Sequence, residues 1–148
     1  MLRFLIASLG RHDADDAFQE TFLSALRSYE RLPPDSNLRA WVLTIAHRKA
    51  IDVHRGRERR PTPVAELDES AAAPPDVPKP DHEQSDLWKR VRTLPPRQRA
   101  VLTLRHAAGL THAEIAAVLD CSEEAARRAA SDGLKTLREE LLDVPASA

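Results

Sequence analysis

An all-α fold follows from three features of the chain. Glycine is scarce, at 4 of 148 residues, and Ala, Leu and Arg dominate, a composition that favours helix. The apolar residues recur at three- and four-residue spacing. A stretch dense in proline and acid, residues 61–86, separates two such helical segments. The expected architecture is two small helical domains, residues 1–60 and 87–143, joined by a flexible Pro/acidic linker. The second domain is expected to be a four-helix helix-turn-helix module.

The first element spans residues 2–9. Leu2, Leu5, Ile6 and Leu9 form its apolar stripe and Gly10 stops it. No capping residue precedes the stripe, so the expectation is that a further segment belongs before it. Asp13, Asp15 and Asp16 open the next helix, at the end where the macrodipole favours acids. Phe18, Phe22, Ala25, Leu26 and Tyr29 are its expected buried face, running to about residue 31. Asp15, Asp16, Gln19, Glu20 and Ser24 fall on other faces, as solvated surface or as a polar docking surface. Pro33 and Pro34 end the helix.

Ser36 or Asn37 caps a third helix, residues 38 to about 60, with Leu38, Trp41, Val42, Ile45 and Ala46 as its expected core side. Arg48, Asp52, Arg55 and Arg59 share one face by their i, i+4, i+7, i+11 spacing, with Lys49 and Arg60 beside it. Such a face can track a phosphate backbone, and Trp41 near its start offers a ring for an unstacked base. The competing reading is a solvated basic helix end. Residues 61–86 carry six prolines and, apart from Lys79, only acids among their charges. They bury too little apolar surface to order themselves.

Beyond the linker, a short helix at 87–94 is expected to bury Leu87, Val91 and Leu94, with Trp88 partly so. Pro96 suits a first helical position. The helix it opens, residues 97–108, turns Ala100, Val101 and Leu104 inward and Arg97, Arg99 and Arg105 outward. Residues 109–137 then read as a helix-turn-helix. Thr111 and Glu114 form a capping box, and Ile115, Ala116 and Leu119 bury one face. Asp120 and Cys121 make the turn. Ser122 caps the second helix, and Glu123 and Glu124 suit its positive end. That helix carries Arg127, Arg128 and Lys135 outward and Ala126, Ala129 and Ala130 inward. In this motif the second helix enters the major groove. Residues 137–142 are expected to close the core.

Net charge is −1, yet residues 39–60 hold seven Lys or Arg against Asp52 and Glu58. The basic charge is therefore local, and the acidic linker masks it in the sum. The single cysteine excludes an internal disulfide and fits a reducing cytoplasm. The apolar run at 2–9 is too short to span a bilayer and has no cleavage region of a signal peptide. Membrane insertion is not expected. His106 and His112 have no companion ligands at metal spacing, and no glycine-rich phosphate loop is present. Cys121 with His112 could suggest a thiol nucleophile, but Cys121 holds a core-facing turn position where a small hydrophobe suits. No enzymatic activity, cofactor or metal is expected.

Three segments in order, DADDAFQETF at 13–22, LRAWVLTIAHRKAID at 38–52 followed by Arg55, and the module from LPPRQR at 94–99 through Glu139, resemble the extracytoplasmic-function (ECF) group of sigma-70-type sigma factors of bacterial RNA polymerase. The resemblance covers nearly the whole chain outside the linker. It implies a sigma factor that binds core RNA polymerase and directs promoter-specific initiation. The alternative is a polymerase- or DNA-binding regulator that keeps the fold without autonomous initiation. Asp15, Asp16, Gln19 and Glu20 fall in the family's polymerase-docking segment, with Phe22 beside them as expected core. Trp41, Arg48, Lys49, Arg55, Arg57 and Arg59 lie where the family approaches the −10 element, with Trp41 expected mainly in the core. Thr111, Glu123, Glu124, Arg127 and Arg128 lie in the module that reads the −35 element. An anti-sigma factor is a further partner the resemblance implies. The chain departs from the family in carrying Arg48 where Asn is usual and Asp120 where Gly is frequent. It also carries Ala129, Ser131 and Asp132 where bases are common. Gly133 inside the second helix costs about 1 kcal/mol against Ala.

Overall fold

The computed structural model describes residues 1–59 and 82–143. Among these residues seven α-helices occur and no strand: α1 (Leu2–Leu9), α2 (Arg11–Ser28), α3 (Leu38–Arg59), α4 (His82–Arg92), α5 (Pro96–Leu102), α6 (His112–Leu119) and α7 (Glu123–Asp143). A 3-10 turn, Tyr29–Arg31, follows α2, and a π-helical segment, Thr103–Ala107, follows α5. Most of the linker, and Arg60, lie outside the described residues. The linker's last five residues, 82–86, are instead the opening of α4.

The centre of the structure is α1. Phe4, Leu5, Ala7, Ser8 and Leu9 are all buried, so the helix is enclosed on almost every side rather than along one stripe. It contacts α2 and α3 on the first-domain side and α4 and the π segment on the second. One continuous apolar cluster consequently runs from Phe4, Leu5 and Leu9 through Leu43 and Ala46 to Val91, Leu94, Leu104 and Ile115. The C-terminal end of α1 is tied to the rest of the fold. Gly10, at φ 81° and ψ 167°, joins α1 to α2, in a backbone region open essentially to glycine alone. Arg92 donates to the carbonyls of Ile6 and Ala7 at 3.2 and 3.4 Å, and Arg57 donates to that of Leu9 at 2.8 Å. The bonds to Ala7 and Leu9 satisfy acceptors that a helix C-terminus leaves open, while the Ile6 carbonyl also accepts from Gly10 N–H at 2.8 Å.

Against this centre the small residues of α2 pack, not the large ones. Ala14, Ala17 and Thr21 are buried, while Phe22, Leu26 and Tyr29, expected in the core, are 52%, 58% and 59% exposed. Small side chains let α2 approach α1 closely, and that choice of face rotates the aromatic stripe outward. Phe18 is half-buried and stacks on Phe22 at 6.4 Å between ring centroids. A similar rotation moves the core side of α3. Leu43, Ala46 and Ala50 are buried, Leu38 is exposed, and Trp41, Val42 and Ile45 are half-buried.

In the second segment Val91, Leu94, Val101, Leu104, Ile115, Ala126, Ala129 and Ala130 are buried as their spacing predicts. Leu87 is exposed instead, as are Leu141 and Leu142 beyond the buried Leu137. Gly133 has a packing reason. A Cβ there would lie 2.9 Å from Cδ1 of the buried Leu102, so its absence lets α7 lie close against α5. The helix-turn-helix starts on a complete capping box: Glu114 N–H donates to Oγ1 of Thr111 at 3.2 Å, and Thr111 N–H donates to Oε1 of Glu114 at 3.1 Å. Its turn is set by Asp120 at φ 53°, a left-handed conformation that a non-glycine residue adopts at some expense in energy.

Urea denaturation checks the placement of α2. Leu5→Ala should lower stability by about 2–5 kcal/mol, whereas Phe22→Ala should lower it by about 1 kcal/mol or less; equal losses would contradict the outward stripe. In the same assay Asp120→Gly should raise stability by about 0.5 kcal/mol by relieving the left-handed turn. Thr111→Ala should lower it by about 1 kcal/mol through loss of the cap.

Candidate nucleic-acid interface

Three exposed surfaces carry the chemistry. On α3, at 100° per residue, Trp41, Arg48, Asp52, Arg55 and Arg59 fall within about 60° of one another. The three arginines and Asp52 are exposed and Trp41 is half-buried. The result is a basic ridge with an aromatic ring in line with it. Lys49 stands beside the ridge, half-buried. Arg57 does not belong to it. Although exposed, it turns to the other side of α3, pairs with Asp13 and holds the Leu9 carbonyl.

The second surface is the front of α7. Ser122 Oγ accepts from the N–H of Ala125 at 3.1 Å, which fixes where the helix begins. Glu123, Glu124, Arg127 and Arg128 are all exposed. Arg127 donates to Oε1 of Glu123 at 2.5 Å, one helical turn back. Glu123 thereby orients Arg127, while Arg128 and Glu124 point to solvent. Thr111 is occupied by its capping role. Glu114, its capping partner, is held below the usual carboxylate range, first by the Thr111 backbone N–H and then by the Asn37 amide.

The third surface is α2. Asp15, Asp16, Gln19 and Glu20 are exposed as expected. Helical spacing places Asp15 and Gln19 on the same face as Phe22, Leu26 and Tyr29, a correction to the expectation that all four polar residues fall on other faces, and that whole face is turned outward. Leu23, 51% exposed, lies beside it with Asp16 and Glu20. This mixed acidic and apolar face suits a protein partner better than a nucleic acid, because phosphates would repel it.

Sequence reasoning missed the side of α3 that faces away from its ridge. That side lies against α6. Asn37 caps α3 by accepting from Ala40 N–H at 3.1 Å, and its Nδ2 donates to Oε2 of Glu114 at 3.0 Å. One amide therefore links the starts of α3 and α6. Arg39 donates to the Ala108 carbonyl. Gly109, at φ 71°, gives this guanidinium room, since a Cβ would stand 3.0 Å from Nη2. Arg99, expected to point outward, is half-buried and donates to the Arg92 carbonyl at 3.1 Å. His47 and His54 lie on this same side of α3, each half-buried. Burial, with Arg99 nearby, pushes both imidazoles down to about 4. Their places two turns apart on one helix could have flagged a shared face, but nothing in the sequence names its neighbour.

Among the described residues no three His, Cys, Asp or Glu side chains come together as a metal site. No described helix is long and apolar enough to cross a membrane.

Two family models match the chain, one in each half. Residues 1–60 match the family described as sigma-70 region 2, and residues 84–137 match sigma-70 region 4. The first match contains α2 and the α3 ridge, and the second contains the helix-turn-helix. The RNA polymerase sigma factor CarQ of Myxococcus xanthus is 33% identical over 135 residues, covering 85% of this chain and 73% of CarQ. The ECF RNA polymerase sigma factor SigG of Mycobacterium tuberculosis is 31% identical over 162 aligned positions, covering 89% of this chain but only 44% of SigG. Among solved structures, the sigma factor RpoE in complex with the anti-sigma factor NepR from Bartonella quintana has a TM-score of 0.72 at 26% identity. It covers 97% of this chain and 91% of that one. With both sigma-70 regions present in order on one all-helical chain, the protein belongs to the ECF sigma factors of the sigma-70 family.

Proposed function

We infer that this sigma factor docks on core RNA polymerase through α2, engages the −10 element with the α3 ridge, and sets its position at the −35 element with α7. The observation that carries the reading is the ridge of Arg48, Arg55 and Arg59 in line with Trp41, exposed on the region that matches sigma-70 region 2. Guanidiniums spaced along one helix face neutralise successive phosphates. A half-exposed indole offers a stacking surface to a base that leaves the duplex. No covalent step is required, because the binding energy of the unpaired strand offsets the unpairing of the duplex.

In the −35 module Arg127 and Arg128 are the residues able to donate to guanine edges in the major groove. Glu123 positions Arg127, and Glu124 supports the helix start through the macrodipole. The acids at Asp15, Asp16 and Glu20, with the apolar ridge of Phe22, Leu26 and Tyr29, supply the polymerase contact: the apolar residues contribute the desolvated area and the acids select a basic partner. The protein acts in the cytoplasm, where its polymerase and promoter are found. An anti-sigma factor is a further partner, supported by the likeness to a sigma factor solved with one.

Run-off transcription with purified core polymerase and a cognate promoter tests the reading; absence of any open complex would overturn it. Arg127→Ala or Arg128→Ala should weaken promoter binding by about 1–3 kcal/mol if it contacts a base, with relaxed preference at one −35 position. Arg48→Ala, Arg55→Ala and Arg59→Ala should each flatten the salt dependence of promoter binding by about 0.9 in the log–log slope. Leu26→Asp, at a 58% exposed position, should leave helix content unchanged and abolish co-elution with core polymerase.

A further inference from the structure

The two DNA-directed regions are packed together, with α3 against α6. On the reading above they must reach promoter elements centred about 25 base pairs apart, or about 85 Å at 3.4 Å per pair. A compact chain of this length has a radius of gyration of about 15 Å. The packed form therefore cannot hold both elements at once, and the seam that α3 and α1 make with the second region has to part.

That seam is built around two histidines. His47 and His54 line a cavity of about 220 Å³ together with Ser8 of α1, Arg97 and Arg99 of α5, and Leu119 of α6. Nε2 of His54 is buried and has no hydrogen-bond partner among the described residues, while the ring interacts with the Ser8 backbone. Charges facing the pair are almost all positive. Arg99 faces both rings, Arg48 acts on His47, and Arg57 and Arg92 act on His54. Arg97 lines the same space, and α6 and the π segment contribute Leu119 and Thr103, which do not titrate. Of the acids nearby, Glu58 faces Arg99 and Asp13 of α2 is paired with Arg57. No carboxylate therefore pairs directly with either imidazole among the described contacts.

We propose that this histidine-lined seam is a proton-sensitive latch, in which protonation of His47 and His54 releases α3 from the second region and opens the molecule for promoter engagement. The proposal rests on the sigma-factor reading for its purpose, though not for its chemistry. In the closed form both imidazoles are pushed from 6.5 down to about 4, first by burial and then by the Arg99 guanidinium. Parting the seam returns them to water and to their ordinary range, so the open form binds more protons. The preference for the closed form is complete above pH 6.5 and declines as pH falls from 6.5 towards 4. At pH 5.5 the closed-to-open ratio falls about tenfold through His47, and by less through His54, which is more solvated.

Small-angle scattering of the full chain between pH 7.5 and 5.0, with far-UV circular dichroism on the same samples, tests this. The expected result is a compact particle at pH 7.5 whose radius of gyration grows below about pH 6.5 at constant helix content. His47→Gln with His54→Gln should stay compact throughout. Should the double variant lose helix at pH 7.5, His47→Gln alone is used, and its expansion should move to lower pH. The exposed-site variant His12→Gln should follow the unsubstituted protein. No expansion, expansion accompanied by loss of helix, or the same expansion in the histidine variants would overturn the latch. Scattering involves neither DNA nor polymerase, so a failed latch leaves the transcription result standing, and failed transcription leaves the scattering result standing.

Discussion

The structure depends on the enclosure of one eight-residue helix. Phe4, Leu5 and Leu9 of α1 are at most 2% exposed, and burying a side chain of that size contributes about 1.5–3 kcal/mol. Neither α2 and α3 alone nor α4 and the π segment alone could cover α1 on all its apolar sides. Each group covers part of it, and the packing of the two segments follows from sharing that surface. The arginines that hold its C-terminal carbonyls come from both segments, Arg57 from α3 and Arg92 from α4. Two small cores meet on α1 and run together as one cluster in the closed form.

This constraint assigns the sides of α3. One side is committed to α1, α2 and α6, and carries Leu43, Ala46, Ala50 and the two histidines. The other is left for the arginine ridge. Arg57 and Arg59 are two residues apart and chemically identical, yet the first is a structural cap and the second is free, because helical geometry places them on different sides. The same logic operates on α2, where Ala14, Ala17 and Thr21 take the close contact with the core and leave a broad apolar and acidic face outward. On the proposed function, surfaces for a protein partner and for nucleic acid are thereby separated on adjacent helices of one half.

What was legible in the sequence was what local chemistry determines. The capping box at Thr111 and Glu114, the turn at Asp120 and the outward Arg127 and Arg128 involve residues a few positions apart, and they stand where their spacing puts them. The Arg48, Arg55 and Arg59 ridge is likewise a property of a single helix. Periodicity failed where two faces of a helix competed for the core. On α2 the larger stripe of Phe22, Leu26 and Tyr29 outweighs Ala14, Ala17 and Thr21 in hydrophobicity, but close packing against α1 favours the smaller residues. On α1 a stripe was expected, and the helix is buried nearly all round because a second segment covers its far side. Gly133 looks unfavourable until Leu102 is placed against it. The seam holding His47, His54 and Arg99 pairs residues about fifty positions apart, a relation that no spacing rule supplies.

On the proposed function, α3 and α7 each carry a separate promoter-facing surface on one chain. Site-specific photocrosslinking reads this directly: a photoreactive residue replaces Arg48 or, separately, Arg127, and each protein is assembled with core polymerase on a promoter. Crosslinks to the −10 element from position 48 and to the −35 element from position 127 are expected. Crosslinks from both positions to the same element, or from neither to DNA in a transcribing complex, would contradict that assignment.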